Sequence, residues 1–133
     1  MTAVEEFAPG LQADWVVICE LRRLTPDRGV AALVDGRQVS IFLLSSGELH
    51  AVDNTDPCSG AAVLSRGLIG DANGIATVAS PLYKQRFDLA TGRCLDAEVE
   101  PLDVHAVEVV DGVVVVRLTC RAAGMTAGMT DTE

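Results

Sequence analysis

The sequence lacks the cysteine pairs on which small zinc and redox modules are built. Cys19, Cys58, Cys94 and Cys120 stand far apart with no C-x-x-C among them, which removes zinc ribbons and thioredoxin-type sites. The amino terminus, MTAVEEFAPG, has acidic residues where a secretory leader has basic ones and contains no apolar run, so a cytoplasmic location with reduced thiols is expected. No apolar stretch approaches the roughly 20 residues of a membrane helix. Positive charge is also short. Ten Lys+Arg face 19 Asp+Glu, a formal net charge of -9, which argues against a partner such as nucleic acid or an anionic membrane. The nucleophile elbow, P-loop, dinucleotide fingerprint and H-E-x-x-H zinc motif are all missing, so no catalytic residues are predicted.

What the 133 residues do contain is short runs of Val, Ile and Leu bounded by Gly, Asp, Asn or Pro. Strands are predicted over 15–21, 29–33, 37–44, 48–52, 75–79, 86–89, 104–110 and 113–118. Asp35-Gly36 and Asp111-Gly112 are hairpin turns, Asn73-Gly74 lies within the hairpin-like GLIGDANGIATVA, and Ser46-Gly47 and Thr91-Gly92 mark further turns. The fold class is therefore all-β, a sandwich or small barrel of antiparallel strands. A turn or two of helix is expected only within CSGAAVLSR (58–66), capped by Ser59. The layout is an N-terminal extension (1–13), one β domain (14–118) and a disordered tail (119–133).

Two irregular loops, DPCSGAAVLSRG and SPLYKQRFDLATG, follow β-rich runs and flank that hairpin-like segment. This arrangement resembles the cluster-binding part of Rieske iron–sulfur proteins, in which the first loop carries Cys-x-His and the second Cys-x-x-His. Only Cys58 stands at a ligand position; Gly60, Ser80 and Tyr83 replace the other three. His50 and His105 lie outside both loops. The resemblance implies a Rieske-like fold without its cluster, hence no metal or cofactor in this chain. VLSRGLIGD and VASPLYKQRFDLATGRCLD narrow it: they are similar to the small subunit of NADH-dependent assimilatory nitrite reductase. That resemblance implies an accessory role beside a large subunit that carries FAD, siroheme and a [4Fe–4S] cluster and reduces nitrite to ammonium. Two alternatives stand beside it, a [2Fe–2S] electron carrier with unusual ligands such as Cys58 and Cys94, and a stand-alone binding module.

Cys58 reads more simply as a small side chain suited to its loop. Tyr83, Lys84 and Arg86 form the densest basic–aromatic group of an acidic chain. With Pro81, Gln85 and Arg66 they make the candidate partner interface, and Arg66 has Asp56 and Asp71 as alternative ion-pair partners. Trp15 is expected to pack in the core or cap one end of the barrel. His50 and His105 read as surface or hydrogen-bonded residues, and Asp96, Glu98, Glu100 and Asp103 as a solvated acidic face.

Overall fold

The computed structural model describes residues 15–119, so the expected extension at 1–13, the tail beyond Thr119 and Cys120 lie outside the described residues. Nine strands follow in order: β1 (Val16–Glu20), β2 (Arg28–Val34), β3 (Arg37–Leu43), β4 (Leu49–Asp53), β5 (Leu68–Ala72), β6 (Ile75–Ala79), β7 (Arg86–Asp88), β8 (Val104–Val110) and β9 (Val113–Arg117). All pairings are antiparallel. One sheet runs β1-β9-β8-β4-β3-β2 and the other β5-β6-β7. Asp35 and Gly36, Asn73 and Gly74, and Asp111 and Gly112 all have positive φ, the geometry of two-residue hairpins.

Two expectations need correction. The helix expected within 58–66 amounts to one 3-10 turn at Leu64–Arg66, and a second such turn lies outside that segment at Leu21–Arg23. Gly60 has φ +79 and Thr55 bridges to Ala62, so this loop returns on itself, while the Ser59 hydroxyl accepts the Ala61 N–H and caps nothing. The missed strand is β5, LIGDA, whose Gly70 and Asp71 interrupt the apolar pattern that marks the other strands.

The core lies on both sides of β3. Phe42 joins Val52, Leu64, Val78, Phe87 and Leu89 in one cluster, whereas Val39 and Ile41 join Val34, Ala51, Val114 and Val116 in the other. This double burial explains why β3 reads as the nearly continuous apolar run VSIFL. Trp15 is half-buried, with the Arg117 guanidinium 5.1 Å above its ring.

A polar group ties β3, β4 and β8 together. Asp53 accepts from Arg37 (Nε 3.1 Å, Nη2 2.8 Å) and from His105 Nε2 at 2.8 Å, and Arg37 also grips Asp103. The Thr119 N–H points at His105 Nδ1 from 3.1 Å. An amide can only donate, so Nδ1 is the acceptor and the hydrogen resides on Nε2. Burial pushes the Asp53 carboxyl up, but the bonds from His105 and Arg37 outweigh it and hold the group below its usual range. Asp103 is thereby removed from the expected solvated face. Asp96, Glu98 and Glu100 remain exposed, Asp96 in an ion pair described below.

Because the folded Asp53 carboxyl binds its proton less readily than the unfolded one, its stabilisation is complete above the ordinary carboxylate pKa of about 4 and is lost as pH falls through the lower folded value. Urea midpoints measured from neutral pH downward should fall in that window, and Asp53→Asn should be less stable at neutral pH with a shallower acid decline. Gly92 has φ +81, and a Cβ there would lie 2.0 Å from the Leu102 carbonyl oxygen. Gly92→Ala should cost about 2–4 kcal/mol in denaturant unfolding, against about 1 kcal/mol for Gly36→Ala, whose added methyl meets open space.

Candidate functional site

The two loops face each other across a buried carboxylate. After β4, Asn54 is buried; its Oδ1 accepts from the Ser65 N–H at 2.8 Å and from the Ser40 hydroxyl at 3.0 Å, while its backbone carbonyl accepts the Leu64 N–H. These bonds seat the return of the first loop on the large sheet. Asp56 is fully buried, and its Oδ1 accepts the Cys58 N–H at 2.8 Å. Its backbone carbonyl accepts the Gly60 N–H at 2.7 Å and its own N–H reaches Ala61. From the second loop the Ser80 hydroxyl donates to Asp56 Oδ2 at 2.5 Å. Ser80 also holds its own loop: its N–H donates to Gln85, its carbonyl accepts from Lys84, and its hydroxyl oxygen accepts the Leu82 N–H at 3.2 Å.

The four ligand positions therefore hold unlike groups. Cys58 is half-buried and packs against the cluster containing Cys94. Burial, reinforced by the Asp56 carboxylate, raises its thiol pKa, which keeps it protonated and a poor nucleophile. Gly60 is exposed, Ser80 is buried and bonded to Asp56, and Tyr83 is 59% exposed.

The predicted interface residues divide. Lys84 is exposed at the tip with φ +66, its Nζ 3.3 Å from the Pro81 carbonyl, and Arg66 is exposed without an ion pair to Asp56 or Asp71. Gln85 is half-buried, its Oε1 without a partner. Arg86 is engaged: its guanidinium grips Asp96 through Nε at 3.0 Å and Nη2 at 2.7 Å, and its backbone N–H adds a third bond. Hydrogen bonding to Arg86 draws the Asp96 carboxyl down to about 2. His50 contacts Glu48 at 3.3 Å, and neither histidine meets another metal-ligand type in a suitable group.

A family model described as a Rieske-like [2Fe-2S] domain matches residues 14–117. The nitrite reductase (NADH) small subunit of Salmonella typhimurium is 43% identical over 106 residues, 79% of this chain and 98% of that protein; the Escherichia coli K12 small subunit is 42% identical over the same share. The chain belongs to the nitrite reductase small-subunit family. A solved nitrite reductase [NAD(P)H] small subunit from Erwinia carotovora superposes with a TM-score of 0.69 at 32% identity, covering 81% of this chain and 84% of that one. In Klebsiella oxytoca the nitrite reductase [NAD(P)H] large subunit contains a 98-residue stretch 41% identical to 74% of this chain, only 10% of that protein's length. The ferredoxin of carbazole 1,9a-dioxygenase from Nocardioides aromaticivorans, at 24% identity and TM-score 0.71, shares the fold.

The residues of this small-subunit relative do not fit a [2Fe–2S] group. Such a cluster needs thiolates or imidazoles at all four positions, and no set of three His, Cys, Asp or Glu able to hold a metal occurs among the described residues. Moreover, the Ser80 oxygen is already committed to Asp56. Ser80→Ala would leave a buried carboxylate oxygen unsatisfied and should destabilise by about 1–3 kcal/mol in urea unfolding. Hydrogen exchange of the Cys58 amide should accelerate in that variant, whereas Ser59→Ala should leave it near the wild-type rate.

Proposed function

We propose that this chain is a non-catalytic accessory subunit of an NAD(P)H-dependent nitrite reductase, acting in the cytoplasm in nitrate and nitrite assimilation. The partner large subunit, carrying siroheme, a [4Fe–4S] cluster and FAD, performs the reduction of nitrite to ammonium. This chain carries no cluster of its own. The observation that bears most on its role is the Asp56–Ser80 hydrogen bond, which joins the two loops where a Rieske protein would need a cysteine thiolate. The Klebsiella large subunit supports the choice of partner, because a stretch similar to this chain there belongs to the same polypeptide as the rest of the enzyme.

The chain's contribution is recognition and support. Its loops are held by hydrogen bonds and by core packing of Cys58 and Leu64, so the domain presents a rigid surface without a redox centre. The purified protein is expected to be colourless and free of iron and sulfide, and to bind the large subunit in calorimetry and co-purification. Visible absorbance with stoichiometric iron would restore the electron-carrier reading, with Cys58 and Cys94 as the ligands to examine. Absence of binding to a fully active large subunit would remove the subunit reading.

A further inference from the structure

Seven large apolar side chains are exposed among the described residues: Val30, Leu33, Leu68, Ile75, Leu82, Tyr83 and Val109. Three of them gather at one end of the three-stranded sheet. Leu68 opens β5 as the register partner of Ala79, and Ala79 leads directly into the loop bearing Leu82 and Tyr83. Their exposures are 75%, 51% and 59%, against 37–40% for Val30, Ile75 and Val109. Leu33, at 68%, lies on the edge strand β2 and is the rival.

Unpaired positive charge is present at the same end. Arg22, Arg23, Arg37 and Arg86 have carboxylate partners and Arg117 lies over Trp15. Arg66 and Lys84, with Arg28 and Arg93, have no carboxylate within ion-pair distance among the described residues. Arg66 precedes Leu68 by two residues and Lys84 follows Tyr83. In a chain of charge -9, two cations without carboxylate partners among the described residues thus flank this exposed apolar group. Lys84 also sits at φ +66, a conformation sparsely populated by side-chain-bearing residues and held here by the Ser80 carbonyl and Gln85 turn.

We propose that Leu68, Leu82 and Tyr83, flanked by Arg66 and Lys84, form the surface on which the large subunit docks. Its counterpart is an apolar patch rimmed by carboxylates, which matches both the apolar centre and the free cations. The proposal rests on the subunit reading above and refines the expected interface: Arg86 and Gln85 drop out, because one is committed to Asp96 and the other is tucked inward, and Leu68 enters. The basic tip is the rim, and the apolar group beside it is the centre.

The test is calorimetric titration of the cognate large subunit with wild-type protein and variants that retain the wild-type circular dichroism and urea midpoint. Leu68→Asp combined with Leu82→Asp should weaken binding by about 100-fold or more. Lys84→Glu should weaken it by roughly tenfold, an effect that shrinks as salt is raised. Ile75→Asp, at the far end of the same sheet, and Leu33→Asp should bind as wild type does. Wild-type affinity in the Leu68→Asp/Leu82→Asp protein overturns the surface while leaving the subunit reading intact, and loss confined to Leu33→Asp moves the interface to the β2 edge. Absence of any wild-type binding overturns the subunit reading, and the docking surface with it.

Discussion

The arrangement of the loops depends on one buried carboxylate. A carboxylate taken out of water costs several kcal/mol unless strong hydrogen bonds replace its hydration. Asp56 receives one such bond from the Cys58 amide within its own loop and another from the Ser80 hydroxyl across the gap. The two loops are therefore coupled through this one side chain. If the first loop opens, Ser80 loses its acceptor; if the second withdraws, Asp56 is left half-solvated in an apolar setting. A metal cluster couples two loops through its ligands. Here a single acceptor couples them through directional hydrogen bonds.

The end of β4 concentrates this kind of control. Asp53, Asn54 and Asp56 occupy three of four consecutive positions, and each organises a different part of the molecule. Asp53 binds Arg37 and His105, joining β3 and β8 and, through His105, reaching Thr119. Asn54 seats the 3-10 turn at Leu64–Arg66 through Leu64 and Ser65. Asp56 closes the second loop. The strand thus delivers a graded series of contacts from the body of the large sheet out to the tip, and the exposed side chains at that tip inherit the rigidity of the sheet behind them.

Much of this architecture was legible in the sequence, because hairpins announce themselves locally. Asp-Gly and Asn-Gly pairs between β-branched runs mark the turns, and strands such as 75–79 and 104–110 coincide with their predicted limits. The departures at Gly60, Ser80 and Tyr83 were equally visible once the two loops were set against the Rieske pattern they resemble. What escaped is whatever depends on separation in space. Asp56 lies 24 residues from Ser80 and was visible only as a possible partner for Arg66. The Arg86–Asp96 pair forms only after β7 turns back past Gly92, so Arg86 read as an interface residue and Asp96 as part of a solvated face. Leu68 carried no reading of its own, because no strand was assigned to residues 68–72. Its exposure follows from the pairing of β5 with β6, and the Gly70 and Asp71 that conceal that strand conceal the exposure with it.

The double burial of β3 has a consequence for the uniqueness of the fold. On a strand with one wet face, a one-residue slip exposes apolar groups and hides polar ones, and solvation alone rejects it. β3 has little wet face, so the rejection must come from shape. A slip would send Phe42 into the space built for Ile41, among Val34, Ala51 and Val114, and would leave the cluster around Leu64 and Phe87 with a smaller side chain. One half would be overfilled and the other hollow, each an unfavourable packing change. The size difference between two adjacent residues thus works as a key that both halves of the domain must fit at once.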